Sequence, residues 1–256
     1  MKRIISRILK KYGYKIIRDD KFQLLMKKKN VSKKTRTNPL TNFVLLLDSL
    51  GYTPKVVFDI GAHLGNWTKE LIKYYPDAYY YLFEPQKDLC YIIENEFSLN
   101  KKIKLFNVGV GNQNDELDFT LHERKDSSSF RFSNKEANEN GYEQMKIPIV
   151  SLESFIEKKD LPFPNILKID AEGFDLEVLK GAISFLPKVD IIFIEVGIVN
   201  KSIENSAFEV MSFLNTHDFR LFDITALNRP FSHKILWLSE FVFIRNGSFL
   251  DKEYNK

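Results

Sequence analysis

Three carboxylates in this sequence each stand at the end of a short apolar segment. Asp59, Glu84 and Asp170 close runs rich in Val, Ile, Leu, Phe and Tyr, a composition typical of buried parallel strands. Parallel strands place their carboxyl ends at one edge of a sheet, where ligands bind. We therefore expect the three side chains to converge on one cleft. A cleft lined by acids repels phosphate and favours a positively charged ligand.

The turn after the first of these strands narrows the choice of ligand. It contains Gly61 and Gly65 at a spacing of four and leads into a helical pattern, whereas a dinucleotide site needs Gly-x-Gly-x-x-Gly and a phosphate loop needs Gly-Lys-Ser/Thr. S-adenosylmethionine fits this turn, because it carries a sulfonium and an amino group but no phosphate. His63 and Asn66 belong to the same turn and are predicted, with Asp59 and both glycines, to contact this cofactor. A tight turn in another α/β protein is the alternative.

The second strand supports a nucleoside ligand. Glu84 lies 19 residues after Gly65 and is followed by Pro85, which ends the strand. A carboxylate at this spacing is where a ribose diol is held. The end of the next strand, at Val108, is predicted to flank the adenine. A solvated strand end is the alternative for Glu84.

The third strand ends in two carboxylates two residues apart. Asp170 and Glu172 would point to the same side while the strand remains extended, and Gly173 then turns the chain into a helix. This strand should neighbour the first one, so its end would face the cofactor. Lys168, two residues before Asp170, is expected to pair with a neighbouring acid.

Alternating strands and helices around these anchors predict an α/β fold with a parallel sheet. Residues 115–150 break that rhythm, because alternating apolar and polar residues indicate antiparallel strands there, with a polar, mobile tip at 133–144. This insertion would cover the site and help to select the substrate. Other segments complete the predicted fold. They are a helix at 39–50, a helix at 86–98, a strand at 103–110, a short helix at 151–156 with Ser151 as its N-cap, a strand at 189–196, a helix at 203–215, and closing strands at 219–224 and 237–244.

Composition limits the class of protein. The chain has 256 residues, 44% of them hydrophobic, which suits one large α/β domain with an appendage. A single cysteine, Cys90, excludes a disulfide framework and a cysteine zinc site, and the four histidines lack metal spacing, so no metal is predicted. No apolar run approaches the roughly 20 residues of a membrane span. These features predict a cytoplasmic protein.

Charge divides the chain into a basic arm and an acidic domain. Residues 1–40 carry a balance of +12, whereas the remainder carries −8. We predict an arm at 1–37, a cofactor-binding domain at 38–248 and a polar tail at 249–256. Residues 2–12 have the pattern of a basic amphipathic helix, which could lie on an anionic membrane as a peripheral contact or dock on the protein's own surface. Nucleic-acid binding is not favoured, because the arm lacks Arg-Gly or interleaved aromatic residues.

Three stretches together resemble the FkbM family of S-adenosylmethionine-dependent methyltransferases. They are Phe58-Asp59-Ile60-Gly61-Ala62, Phe83-Glu84-Pro85 and Leu167-Lys168-Ile169-Asp170-Ala171-Glu172-Gly173-Phe174-Asp175, within a resemblance that covers residues 54–215. Ser128 and Ser129 also fall where that family often has serines. The sequence departs from the family at His63, where Asn is common, and at Asp175, where Glu is common. The resemblance implies a class I methyltransferase (Rossmann-like) fold: a seven-stranded, mostly parallel sheet with helices on both faces and one antiparallel strand near the edge. It also implies methyl transfer to oxygen, frequently on sugars or natural-product hydroxyls.

Such a reaction defines roles for the acids of the third strand. Methyl transfer is an in-line displacement, and a hydroxyl acceptor must lose its proton during the attack. Asp170 is expected near the sulfonium, and either Asp170 or Glu172 would act as base or orient the hydroxyl. Glu195, near the end of the strand at 189–196, is a further catalytic candidate, as is His63. For Glu172 the alternative is a charge that favours the following helix dipole.

Two other functions compete with an O-methyltransferase acting on a saccharide or related small molecule. One is a nucleic-acid methyltransferase guided by the basic arm, although the Asn/Asp-Pro-Pro-Tyr/Phe signature of amine methylation is absent. The other is a non-catalytic nucleotide-binding module with a degenerate site. The acids at all three strand ends disfavour that module.

Overall fold

The computed structural model describes residues 38–121, 130, 133–199, 205–230 and 234–254. The basic arm at 1–37 lies outside the described residues, and so do Ser128 and Ser129. The proposed boundary between arm and domain therefore stays a prediction.

Helices and strands alternate along most of the described chain. The helices are α1 (Pro39–Ser49), α2 (Asn66–Ile72), α3 (Lys87–Glu96), α4 (Asn134–Asn140), α5 (Leu152–Lys159), α6 (Asp175–Lys180), α7 (Ala207–Thr216) and α8 (Phe249–Tyr254), with a 3-10 helix at Ile183–Lys188. The strands are β1 (Val56–Ile60), β2 (Tyr79–Phe83), β3 (Ile103–Phe106), β4 (Gly109–Gly111), β5 (Asp115–Leu121), β6 (Glu143–Ser151), β7 (Ile166–Ile169), β8 (Ile191–Gly197), β9 (Phe219–Asn228) and β10 (Leu238–Arg245).

Seven of the described strands form the main sheet, in the order β3-β2-β1-β7-β8-β10-β9. The first five run parallel, whereas β10 is antiparallel to both of its neighbours. This arrangement confirms the predicted class I sheet with one antiparallel strand near its edge. It also confirms that β7 pairs directly with β1. The central strands β2, β1 and β7 therefore end side by side.

Apolar side chains cover both faces of this sheet. On β1, Phe58 packs into one buried cluster together with Phe155 of α5 and Val178 of α6. The adjacent Val57 packs on the opposite face with Phe43 of α1. Successive side chains of a strand point to opposite faces, so strands that are buried on both sides need the continuous apolar runs seen in the sequence.

The insertion forms a second, smaller sheet in the order β4-β6-β5. Its β5–β6 hairpin is antiparallel, as predicted. The predicted strand at 103–110 is wrong, however, because β3 ends at Phe106 and Gly109–Gly111 pairs with β6 instead. A tight turn, in which the N–H of Val108 donates to the carbonyl of Phe106 at 3.1 Å, redirects the chain between the two sheets.

Two polar segments for which no helix was predicted are helical. The tip at 133–144 contains α4, which begins with a capping box between Ser133 and Glu136. The tail contains α8, whose Leu250 is buried against the core while Asp251 accepts a hydrogen bond from the N–H of Gly247. Both segments are polar in composition, so no apolar periodicity indicated a helix. Their stabilising features are a capping box in one and a single buried leucine in the other.

Candidate active site

A cavity opens at the carboxyl ends of β1, β2 and β7. It measures about 670 Å³ when the open space at its mouth is included. The turns after these strands form one part of its wall and the smaller sheet forms another. The lining residues are Ile60, Gly61, His63, Phe83, Glu84, Pro85, Gln86, Val108, Gly109, Val110, Phe119, Phe130, Asp170, Ala171 and Glu172.

The turn after β1 packs tightly against the end of β7. Gly61 has φ 70°, and a Cβ placed on it would lie 1.8 Å from the carbonyl oxygen of Asp170. Only glycine therefore fits this position. His63 follows with φ 51°, and its N–H points to Glu84. The close approach brings the ends of β1, β2 and β7 to one cavity.

Glu84 is the most buried acid of the cavity wall, with 2% of its surface exposed. Its Oε2 accepts the N–H of His63 at 2.8 Å and its Oε1 accepts the N–H of Gln86 at 2.9 Å. Burial raises the pKa of Glu84 to about 7, although these two hydrogen bonds act in the opposite direction. The backbone thus fixes both oxygens, which leaves their remaining lone pairs able to accept ligand hydroxyls.

Asp59 lies beneath the cavity rather than in its wall. It is fully buried, accepts the hydroxyl of Thr68 at 2.6 Å and pairs with the ammonium of Lys168 at 3.0 Å. Lys168 also reaches the carbonyl of Gly61 at 2.9 Å and the carboxylate of Asp170 at 3.5 Å. The predicted pairing of Lys168 with a neighbouring acid is therefore confirmed. Of the three strand-end acids, the structure brings only Glu84 and Asp170 to the cavity.

Lys168 is a buried cation held by anions. Burial lowers its pKa, but the charges of Asp59 and Asp170 outweigh that effect and raise the pKa above its usual value. The ammonium therefore stays charged and connects β1 to the end of β7. Asp59 supports the site through this lysine.

The remaining residues predicted in the glycine turn also lie outside the cavity wall. Gly65 has φ 71° and precedes α2, and a Cβ placed on it would lie 2.6 Å from the ring of Phe97. Asn66 is the first residue of α2. Gly65 therefore has a packing role in this structure, and only Gly61 and His63 of this turn reach the cavity.

Asp170 and Glu172 both line the cavity, but the extended geometry predicted for them is wrong. The strand β7 ends at Ile169, and Glu172 has φ 51°, in the left-handed region. The side chain of Asp170 is 39% exposed, so this carboxylate is open to a ligand. A turn, rather than the alternation of a strand, brings both acids to the cavity.

Glu195 belongs to an acidic group beside the cavity and is not one of its lining residues. Burial, followed by the charges of Asp170 and Asp175, raises the pKa of Glu195 well above its usual value. Its register partner on β10 is Glu240, which accepts a hydrogen bond from Thr225. Burial raises the pKa of Glu240 to about 7. Sequence reasoning missed Glu240, since the antiparallel pairing of β10 with β8 has no local signal.

Asp175 is a second residue that the sequence argument did not place at the site. Its carboxylate is fully buried and accepts the N–H groups of Ala171 and Gly173 and the side-chain amide of Asn205. Burial, followed by the charge of Asp170, raises the pKa of Asp175 to about 6. Its position within the longest stretch of the family resemblance was the signal that could have identified it.

The opposite wall of the cavity is apolar. Val108 lines it, as the prediction of an adenine neighbour requires, together with Phe83, Val110 and the ring pair Phe119 and Phe130, whose centroids lie 4.7 Å apart. An apolar wall that faces fixed polar groups is typical of a small-molecule site. Within the described ranges, no group of three or more His, Cys, Asp or Glu residues could hold a metal ion.

The sequence model of the methyltransferase FkbM domain matches residues 59–221, more than half of the chain. The chain belongs to the FkbM methyltransferase family. This membership confirms the resemblance that the three motifs predicted. S-adenosylmethionine is therefore the cofactor, and it is the methyl donor.

Individual relatives of this FkbM family member are distant. A stretch of 52 residues is 38% identical to the hexuronic acid methyltransferase AglP of Haloferax volcanii, covering 20% of this chain and 22% of that protein. The match thus spans about a fifth of the curated relative. The solved FkbM methyltransferase of Methylobacillus flagellatus KT aligns at a TM-score of 0.47 and 16% identity, covering 74% of this chain and 43% of that chain. A SAM-dependent methyltransferase from Leishmania major aligns at 0.46 and 16%, with coverages of 80% and 70%.

The cavity of this FkbM chain has the features that S-adenosylmethionine requires. Glu84 presents a buried carboxylate whose oxygens are fixed by two backbone N–H groups, which suits a ribose diol. The apolar wall at Val108 and Val110 suits an adenine ring, and Gly61 lines the cavity where its turn packs against the end of β7. No helix within the described ranges combines the length and apolarity needed to cross a membrane.

Proposed function

We propose that this protein is an O-methyltransferase that transfers the methyl group of S-adenosylmethionine to a hydroxyl of a saccharide or related small molecule. The observation that carries this proposal is the pair Asp170 and Glu172 on the cavity that also contains Glu84. In this proposal Glu84 holds the nucleoside, and Asp170 and Glu172 receive the acceptor. Methyltransferase membership supports the reaction class, and the family resemblance supports oxygen as the acceptor atom.

Each residue has a distinct role in this proposal. The bound donor supplies a methyl group made electrophilic by a positively charged sulfur. Glu84 accepts hydrogen bonds from the ribose hydroxyls, and Val108 packs against the adenine. Asp170 orients the acceptor hydroxyl and takes up its proton, with Glu172 as the alternative base. A positioned base contributes about 10²–10⁴-fold to such a reaction.

Glu195 has an indirect role in the proposal. It stands outside the cavity wall, and burial, followed by the charges of Asp170 and Asp175, raises its pKa well above the usual value. Glu195 interacts electrostatically with Asp170 and does not line the cavity, so the proposal gives it no direct part in proton transfer. The ammonium of Lys168 lies 3.5 Å from the carboxylate of Asp170 and connects it to the buried Asp59.

A saccharide acceptor draws support from the relative named for hexuronic acid, although only a short stretch matches. The wall of the cavity carries the carboxylates of Glu84, Asp170 and Glu172, which favour a neutral hydroxyl over a carboxylate as the methyl acceptor. A carboxylate acceptor would need no base, whereas a hydroxyl requires the proton acceptor that Asp170 and Glu172 provide.

The experiment is transfer of a labelled methyl group from S-adenosylmethionine to a lysate separated into glycan, small-molecule, lipid and nucleic-acid pools. We expect label in the glycan or small-molecule pool, in a form that survives alkali, because methyl ethers resist the hydrolysis that cleaves methyl esters. Label confined to nucleic acid would support the competing nucleic-acid methyltransferase. Cofactor binding without label in any pool would favour a binding module.

The basic arm supports a second, separate proposal about location. Residues 2–12 alternate basic and apolar side chains at helical spacing, which suits peripheral binding to an anionic membrane from the cytoplasmic side. The arm at 1–37 lies before the family match at 59–221. Membrane binding and methyl transfer are therefore expected to be separable functions.

A further inference from the structure

We propose that Asp175 is a positioning residue, which holds the turn at 171–173 so that Asp170 and Glu172 face the cavity. This inference rests on the proposed methyl transfer to a hydroxyl. Asp175 does not line the cavity itself. It acts through the backbone of the turn that carries the two candidate bases.

The hydrogen bonds of Asp175 bracket Glu172. Its Oδ1 accepts the N–H of Ala171 at 2.8 Å, and its Oδ2 accepts the N–H of Gly173 at 2.9 Å. Glu172 lies between them at φ 51° and Gly173 follows at φ 92°. A left-handed conformation is unfavourable for a residue such as Glu and persists only where its surroundings impose it. The two hydrogen bonds of Asp175 supply that constraint.

A role as an ordinary helix cap does not account for these contacts. Asp175 is the first residue of α6, and Phe174 at the N-cap position makes no side-chain capping bond. The carboxylate instead reaches back to the preceding turn. A charge needed only for the helix dipole would not have to be fully buried, because the effect operates at exposed helix ends as well.

Asn205 connects this turn to the neighbouring strand. Its Nδ2 donates to Oδ2 of Asp175 at 2.8 Å and to the backbone carbonyl of Glu195 at 2.9 Å, while the backbone carbonyl of Asn205 accepts the N–H of Gly197 at 2.9 Å. Asn205 is nearly fully buried. One network of hydrogen bonds therefore joins the end of β8 to the turn that presents the acids.

The test compares Asp175→Asn with Asp190→Asn in the full chain. The amide of Asp175→Asn cannot accept both N–H groups, so we expect kcat to fall about 10²-fold, the loss that misplacing a reacting group produces. Binding of S-adenosylhomocysteine should remain, because Glu84 is held by a different turn. Amide hydrogen exchange across 170–174 should accelerate. Asp175→Glu keeps two acceptor oxygens and should recover most of the lost kcat.

Asp190 is the matched control, since it precedes β8 at the opposite end of the strand. Its carboxylate is part-buried, accepts the hydroxyl of Tyr52 and pairs with Arg245. Asp190→Asn should lower the melting temperature while leaving kcat at low temperature unchanged. Equal losses of kcat in both variants would overturn the proposal, as would normal kcat in Asp175→Asn.

Two further measurements keep the outcome decisive. If Asp175→Asn does not fold, Asn205→Ala removes one of the three hydrogen bonds of Asp175, together with the bond to the carbonyl of Glu195. It should give a smaller loss of kcat with faster exchange at 170–174. Unchanged exchange would contradict the proposal. If the wild-type protein methylates no hydroxyl, the proposed function fails, whereas exchange at 170–174 still reports whether Asp175 holds the turn.

Discussion

The backbone N–H of His63 donates to Oε2 of Glu84 at 2.8 Å, which joins the turn after β1 to the end of β2. This bond fixes one oxygen of a buried carboxylate, and the N–H of Gln86 fixes the other. The orientation of Glu84 is therefore set before any ligand binds. Preorganisation of this kind favours affinity, because the side chain has little freedom left to lose.

Glu84→Gln should weaken cofactor binding. An amide offers one acceptor oxygen instead of two, and a hydrogen bond to a charged group contributes about 1.5–3 kcal/mol, so the Kd for S-adenosylmethionine should rise about tenfold or more. Isothermal titration calorimetry measures this change. Glu240→Gln is the control, because that acid is part-buried and has a similarly raised pKa but does not line the cavity. Equal affinities for both variants would remove Glu84 from the binding site.

The stability of the ligand-free protein should decrease as pH rises from about 5 to 7.5. The pKa values of Asp175, Glu84 and Glu240 are raised to about 6, 7 and 7, so in this window the folded state binds more protons than the unfolded state. The free energy of unfolding therefore falls with pH. Urea denaturation across this range measures the slope, and Glu240→Gln should flatten it. A free energy of unfolding that increases with pH in the wild-type protein would contradict the raised pKa values.

Gly61→Ala should destabilise the protein more than Gly141→Ala does. Both glycines have φ 70°, but a Cβ at Gly61 meets the carbonyl oxygen of Asp170 at 1.8 Å, whereas none of the described atoms lies within 4 Å of one at Gly141. The left-handed backbone alone costs about 1–2 kcal/mol, and the steric overlap at Gly61 adds about 1–3 kcal/mol. Chemical denaturation gives the two values. Equal destabilisation would show that the turn relaxes away from β7.

Asp170→Asn should reduce turnover far more than it reduces stability. The variant keeps the shape of the side chain but cannot accept the proton, so we expect kcat to fall by about 10²–10⁴-fold. The melting temperature reports folding, and labelled methyl transfer reports turnover. Glu172→Gln, measured in parallel, identifies which of the two acids is the base. Turnover near that of the wild type in Asp170→Asn would exclude Asp170 from proton transfer.

Removal of residues 1–37 should abolish binding to anionic vesicles while leaving methyl transfer intact. The first 40 residues carry a balance of +12, so vesicle binding by the full chain should weaken as salt rises. Cosedimentation with vesicles of phosphatidylserine and phosphatidylcholine measures this binding, and pure phosphatidylcholine is the control. Vesicle binding that survives the deletion would place the membrane contact elsewhere, and salt-sensitive RNA binding that is lost with the arm would favour a nucleic-acid partner.

Local patterns predicted the main sheet well. The apolar runs before Asp59, Glu84 and Asp170 correctly gave the central strands, because strands buried on both faces must be apolar throughout. The predictions were wrong for segments whose structure depends on helix caps or on a strand that is distant in sequence. The helix at α4 rests on Ser133 and Glu136, and the strand β4 exists only because β6, some 40 residues later, pairs with it.

The sequence by itself determined the family, the fold class and the acids at the ends of the strands, since residue type and spacing along one chain carry that information. Only the tertiary structure decided which acids reach the cavity. Asp59 is buried in an ion pair with Lys168, and Glu240 lies beside Glu195 because β10 pairs antiparallel with β8. Asp175 accepts two backbone N–H groups of the turn that follows Asp170. Burial and charge pairing depend on neighbours that are remote in sequence, so no local pattern could specify them.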